Sequence, residues 1–122
     1  IDMQNALFAD AIATVLRDFD SDFEVYQSES PVKTSDMCAF TEANILIMEV
    51  TAYSSWKLEE RMKIRNEVKA QNPGCKIVLV VDENSDKKLA DKVRLAKKDG
   101  LIDNFIYGSI SATYLSAVID TL

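Results

Sequence analysis

Histidine is absent from all 122 residues. Its absence removes the commonest general base and the commonest zinc ligand, and with them most hydrolase and zinc-enzyme mechanisms. Cysteine is scarce: Cys38 and Cys75 stand in neither a C-x-x-C nor a metal-ligand spacing, so plain reduced thiols in a cytosol are expected. No apolar run approaches the roughly 20 residues that span a bilayer, and no signal-peptide pattern, internal repeat, low-complexity tract or linker interrupts the chain. Positive charge is in deficit as well. With a formal net charge of −6 and a pI near 4.6, this segment lacks the clustered Lys and Arg that a phosphate backbone rewards.

What is present suits one soluble domain. Hydrophobic residues make up 48% and charged residues 28% of the chain, a composition that excludes disorder. A chain of this length buries roughly two thirds of its unfolded surface in one core. No membrane contact and a cytoplasmic location are expected.

The most informative stretch is N-I-L-I-M-E-V-T-A-Y, residues 44–53. Ile45 to Val50 is too short for a buried helix and is rich in β-branched side chains, which suits a central parallel strand covered on both faces. It delivers one acid, Glu49, close to its C-terminal end, where open α/β sheets place their ligands and chemistry.

Around that strand, helices and strands alternate. Residues 5–18 have a helical period that gathers Leu7, Phe8, Ile12, Val15, Leu16 and Phe19 on one side. Phe23 to Ser28 alternates as a strand exposed on one side or at an edge, and Pro31 ends it. Ser35 can cap a short helix over Asp36 to Glu42 with Met37 and Phe40 inward. Trp56 to Gln71 is polar except for Leu58, Met62, Ile64 and Val68, and Asn72-Pro73-Gly74 closes it as a helix. Lys76 to Val81 is the next buried strand. Ser85 caps a helix from Asp86 to Lys98 that buries Leu89, Val93 and Ala96 and stops at Gly100. Ile102 to Tyr107 is the last strand. Ser111 caps a final helix that buries Leu115, Val118, Ile119 and Leu122.

This order defines a doubly wound parallel sheet, α/β and flavodoxin-like, a three-layer sandwich with strand order 2-1-3-4-5. One anomaly stands out. The pattern begins on a helix, so Ile1-Asp2 reads as the tail of a first strand that is largely missing from the sequence, with about five to seven further residues expected upstream.

Several landmarks, in order and nearly gap-free along the whole chain, resemble the receiver domain of bacterial two-component response regulators, above all receivers with a helix-turn-helix output. Ala6-Leu7-Phe8-Ala9-Asp10-Ala11-Ile12 resembles that family's P-L-F-R-E-G-L, Asp22-Phe23-Glu24-Val25 its D-F-E-V, and Asn44-Ile45-Leu46-Ile47-Met48 the D-L-V-L-M before the phosphorylated aspartate. Leu58-Glu59 matches the end of its M-P-G-M-D-G-L-E loop, and Pro73 to Val81 its P-x-x-x-I-V-V-L-T segment. The resemblance implies that residues 1–122 are a receiver-like domain, the N-terminal part of a longer transcription regulator.

The resemblance also says where the phosphorylation chemistry would sit, and there the residues depart. A receiver binds Mg²⁺ through an acid pair and its acceptor aspartate, and meets the phosphoryl oxygens with a hydroxyl and a lysine. Hard Mg²⁺ needs carboxylate oxygens, and the transferring group needs its charge neutralised. Counting back from Leu7-Phe8 places the acid pair at Met3 and Gln4. The acceptor position is Glu49, whose extra methylene displaces the carboxylate, and misplacement of ~1 Å can cost about 100-fold. The hydroxyl position falls on Val81, the lysine position on Gly108 and the aromatic switch position on Phe105, with Val81 beneath it. Ala52 to Lys57 loses the loop's Pro and both Gly.

The expectation is therefore a pseudo-receiver with no catalytic residues, no cofactor and no Mg²⁺ site, outside the standard phosphorelay. Glu49 reads either as a carboxylate standing in for phosphate or as a solvated strand-end acid. Asp82 could lend a second carboxylate beside it for a weak divalent ion, and Trp56 with Tyr53 could form an exposed contact patch. The implied partners are a second copy in a homodimer, a sensor kinase, and DNA only through a separate output domain. Candidate interfaces are Thr113, Tyr114 and Ser116 to Asp120, including Val118, and the charged face Lys87, Lys88, Asp91 and Lys92. The main alternative is a receiver that responds to a nucleotide or an atypical metal. A remote one rests on Ile1-Asp2-Met3-Gln4-Asn5, which resembles the opening I-D-M-Q-N of isochorismatase-like hydrolases. Neither Cys38 nor Cys75 has the Gly-rich surroundings of that family's nucleophile.

Overall fold

The computed structural model describes residues 1–28, 30–51, 56–81, 87–108 and 112–122. The expected caps Ser85 and Ser111 lie outside these residues, as does Asp86. Three strands, β1 (Ile45–Val50), β2 (Lys76–Val81) and β3 (Asn104–Tyr107), form a parallel sheet in that order. Helix α1 (Ala6–Phe19) precedes them, followed by a 3₁₀ turn (Pro31–Lys33) and α2 (Thr34–Thr41). Helix α3 (Leu58–Gln71) joins β1 to β2, α4 (Lys87–Lys98) joins β2 to β3, and α5 (Ala112–Asp120) closes the chain.

The near-continuous apolar character of β1 and β2 follows from burial on both faces. Leu46, Met48 and Val50 pack with Ile77, Leu79 and Val81 against Ile64 and Val68 of α3 and Leu89 and Val93 of α4. The alternate residues Ile47, Val78, Val80 and Ile106 pack on the opposite face against Ile12 and Leu16 of α1 and Leu115 and Ile119 of α5. Gly100, at φ +78°, ends the α4 connection in the left-handed region that suits glycine.

The sheet continues on one side beyond β1 in abbreviated form. Asp2 bridges Met48 in parallel: its N–H donates to Ile47 O at 2.8 Å and its carbonyl accepts from Glu49 N–H at 2.9 Å. Ile1 in turn donates to Tyr26 O and accepts from Ser28 N–H, both at 2.8 Å. Ile1-Asp2 thus lies between β1 and residues 26–28, where the tail of a first strand was expected. The expected strand over Phe23 to Ser28 does not form a regular ladder: among the described residues its main-chain bonds to the sheet side are those to Ile1 alone.

Other expectations need correction. Ser35 is inside α2 and does not cap it; the 3₁₀ turn leads directly into the helix at Thr34. Phe40 is 91% exposed rather than inward, because the short α2 turns Thr34 and Cys38 to the core. Leu7 and Phe19 at the ends of α1 are exposed, and Ala9 and Ala13 fill the core stripe with Ile12 and Leu16. Leu122 lies past the end of α5 and is exposed. Strand β3 begins at Asn104, after Asp103 has taken Ile77 N–H with its carboxylate at 2.8 Å.

Candidate functional site

The C-terminal end of β1 brings Glu49 to the first turn of α1. Its Oε1 accepts the backbone N–H of Gln4 at 2.7 Å and of Asn5 at 3.4 Å. Asn5 is the N-cap of α1, with its side chain accepting Phe8 N–H at 3.0 Å. A carboxylate facing the unsatisfied amides at a helix start is held by charge-assisted hydrogen bonds and by the helix dipole. Glu49 is half-buried and committed to backbone donors, rather than free in solvent.

Beneath it lies a buried ion pair that sequence reasoning missed. Arg61, on α3, is 0% exposed and Asp2 1% exposed. Arg61 Nη1 donates to Asp2 Oδ2 at 2.6 Å, Nη2 to Asp2 O at 3.0 Å, and Nε to Glu49 O at 2.7 Å. Thr34 Oγ1, also buried, donates to the same Asp2 oxygen at 2.5 Å. The Trp56 ring lies under the guanidinium, 5.9 Å from Cζ to centroid, so Trp56 is packed against its own helix; Tyr53 lies outside the described residues. In α3 the arginine occupies a core-facing position between Leu58 and Ile64. In the sequence it looks like one more charge in a polar helix, and only the lone buried Asp2 explains it.

The expected acid pair supplies no carboxylate. Met3 is buried in the cluster under α1 and α5, and Gln4 is exposed with its N–H turned to Glu49. A cavity of about 350 Å³ lies here, lined by Met3, Gln4, Ala6, Gln27 and Trp56 among others. Thioether, amide and indole do not fit Mg²⁺, which takes oxygen ligands with carboxylates among them. Among the described residues no three His, Cys, Asp or Glu side chains converge on a metal position; Asp82 is outside those residues.

The remaining positions are arranged on the neighbouring strands. Val81 ends β2 fully buried, and its carbonyl accepts Gly108 N–H at 2.8 Å. A side chain at Gly108 would point toward Phe8 and Val80, and glycine brings no ammonium. Phe105 does not stand over Val81 as expected: it lies opposite Leu79, and Tyr107 lies opposite Val81. Each strand step of a parallel ladder fixes this register, so the aromatic beside the hydroxyl position is Tyr107. Phe105 is held by the edge of the Tyr107 ring at 5.9 Å and by Lys97 above its own ring. Tyr107 Oη accepts Arg94 Nη2 at 2.6 Å.

Of the candidate interface residues, Tyr114 is 53% exposed on α5 and Lys88 and Lys92 are exposed on α4, with Lys92 3.9 Å from Glu59. Val118 does not belong to that surface. It is buried among Leu115, Ile119 and α1, because α5 turns Leu115, Val118 and Ile119 to the sheet and leaves Tyr114, Ala117 and Asp120 outside. Ser116 is buried as well, and the Thr113 side chain is outside what is described. Among the described residues no helix is long and apolar enough to cross a membrane.

No protein-family model matches the chain, and neither does any curated protein. Solved structures do. A DNA-binding response regulator of the LuxR family from Staphylococcus aureus superposes with a TM-score of 0.74 at 11% identity, over 98% of this chain and 96% of that one. A pilus assembly-related protein from Burkholderia pseudomallei gives 0.65 at 16% identity, over 99% and 87%. A response regulator protein from Burkholderia multivorans gives 0.64 at 16% identity, over 98% and 90%. The chain has the flavodoxin-like receiver fold that response regulators use.

Proposed function

We propose that this chain is a pseudo-receiver: a signalling module that works by protein contact, without phosphorylation of its acceptor position, and that controls a DNA-binding output domain elsewhere in a longer regulator. The observation that carries the reading is the engagement of Glu49. Its carboxylate is spent on the amides of Gln4 and Asn5, where a receiver would direct it to a metal and a phosphoryl group. Met3, Gln4, Val81 and Gly108 offer neither the acids, the hydroxyl nor the ammonium that such a transfer needs. Mg²⁺ has no role in this reading, and the module is not an enzyme.

Contact with a second copy is supported by the exposed apolar residues where α1 and α5 lie side by side, Leu7 at 84% and Tyr114 at 53%. A sensor kinase fits the same reading only as a docking partner. The test is incubation with acetyl phosphate, or beryllofluoride, and Mg²⁺, followed by intact mass and amide spectra. Both stay unchanged on this reading; a stoichiometric acyl phosphate on Glu49 sinks it.

A second reading rests on Trp56, whose Nε1 is buried without a hydrogen-bond partner among the described residues and whose side chain lines the cavity beside Met3 and Gln4. A small ligand bearing an acceptor would satisfy that donor. A thermal-shift screen with nucleotides and Mn²⁺ decides it, since a ligand selective for the native state raises the melting temperature.

A further inference from the structure

Charge is divided unevenly along the chain. Of its 14 cationic residues, 12 fall between Lys57 and Lys98, while half of the 20 acids precede Val50 with only Arg17 and Lys33 among them. The fold turns this division into two patches. Helix α4 carries Lys87, Lys88, Lys92, Arg94, Lys97 and Lys98 against one acid, Asp91, all of them exposed. Leu89, Val93 and Ala96 hold the helix to the sheet. On its outer side Leu95, 55% exposed, lies between Lys92, three residues before it, and Lys98, three after. Arg94 reaches Asp91 at 3.0 Å and Lys92 reaches Glu59 at 3.9 Å. Carboxylates thus already stand among these cations, which suits acidic side chains better than a continuous phosphate backbone.

The opposite patch follows α1. Residues 18–24 read D-F-D-S-D-F-E, four acids without a cation. Asp20 O accepts Phe23 N–H at 3.0 Å and the Asp20 carboxylate accepts Asp22 N–H at 2.9 Å, which fixes the turn. Arg17, the cation next to it in sequence, is directed to Val25 O at 2.9 Å. Phe19, 48% exposed, stacks on Phe23 with ring centroids 6.4 Å apart, and Asp18, Asp22 and Glu24 are exposed in the same stretch. Helix α1 and Phe23 pack on one face of the sheet and α4 on the other, so the two patches of one molecule cannot meet.

We propose that the Leu95 face of α4 docks on the Phe19–Phe23 turn of a second copy, head to tail. Each side offers an apolar centre within charges of one sign, and the two signs are opposite, which is the complementarity that steers and orients protein contacts. One exposed apolar side chain at each centre falls far short of the roughly 800 Å² per partner of a stable interface, so the contact is weak and sensitive to salt. Because the patches lie on opposite faces, two copies cannot satisfy both at once, and further copies add to the ends. The contact uses the end of α1 remote from Leu7 and leaves out α5, so it is separate from the α1/α5 contact above.

The test is sedimentation and NMR on the 122-residue chain. As its concentration rises, the Leu95 methyl and Phe19 ring resonances should move together with the growth in mass, and raising salt from about 20 to about 200 mM should weaken the association at least roughly tenfold. Leu7→Gln should leave it unchanged. Lys92→Glu/Lys98→Glu and Asp18→Lys/Asp22→Lys should each stay monomeric under the same conditions, and an equimolar mixture of the two should associate again, because every reversed patch then meets its opposite. Should a reversed variant fail to fold, Lys98→Gln and Asp22→Asn decide in its place, each expected to weaken association roughly threefold. A wild-type chain that is monomeric at millimolar concentration in low salt overturns the proposal. Association that survives both reversals, or that mixing does not restore, overturns it too. So do α4 resonances that shift with a DNA duplex in a chain that stays monomeric, which would assign the face to phosphate.

Discussion

Asp2 and Arg61 stand 59 residues apart in sequence and 2.6 Å apart in space, both withdrawn from water. The pair ties the short stub beside β1 to α3. Arg61 also takes the carbonyls of Asp2 and Glu49, so a single guanidinium satisfies acceptors on adjacent segments. Removing one member of a buried pair leaves the other unpaired in a low-dielectric setting, at a cost of about 3–5 kcal/mol. Urea unfolding of Arg61→Met and Asp2→Asn should show losses of this order, with the larger for Arg61→Met because it also takes the Nε–H donor from the Glu49 carbonyl. The Asp2→Leu/Arg61→Met double variant should lose less than the two single changes add up to, since neither charge remains. Additive losses would mean that the two side chains are not coupled.

Glu49 is expected to be structural. Glu49→Ala deletes the acceptor for Gln4 and Asn5 N–H and should cost about 1.5–3 kcal/mol, the range for hydrogen bonds to a charged group. Glu49→Gln keeps an oxygen at the same reach and should cost least, while Glu49→Asp is too short and should resemble alanine. Glu49→Asp should also stay unmodified by acetyl phosphate, because the acids, hydroxyl and ammonium are still missing. If that one change restored phosphorylation, the pseudo-receiver reading would fail.

The sequence disclosed the fold through its strands. Ile45 to Val50 and Lys76 to Val81 coincide with β1 and β2 because strands buried on both faces leave an uninterrupted apolar run. Helix faces were less legible. The period of α1 includes Leu7 and Phe19, but a stripe does not say where the sheet ends, and both overhang it. Val118 shows the opposite error, since only the docked α5 decides which side of a short apolar helix is covered. The positions of Met3, Gln4, Glu49 and Gly108 came from likeness, and their contacts could not. An acid hydrogen-bonded to the main chain has no side-chain partner to read, and an arginine buried by one distant aspartate has no local pattern.

The two thiols should be inert in the native chain. Cys75 is fully buried and Cys38 nearly so, and neither is in a disulfide. Burial pushes the Cys75 thiol up to about 11 and raises Cys38 as well, so little thiolate is available for attack. Iodoacetamide at neutral pH should leave both unmodified over a time that labels the guanidinium-unfolded chain completely. Rapid labelling of the native chain at Cys75 would contradict its place behind β2.

The pH profile of stability should report the same burial, because a protein without histidine has few groups that titrate between about 6 and 8. The native pKa values of Cys38 and Cys75 are raised from 9.0, mainly by burial. The native chain therefore binds more protons than the unfolded one as pH rises past that value, so the contribution of the thiols to stability is complete below it and declines as the unfolded thiols ionise. Denaturation midpoints measured from about pH 7 to 10 should accordingly fall above about 9. The Cys38→Ala/Cys75→Ala double variant should lose most of that fall. An unchanged slope in the double variant would show that the thiols do not carry it.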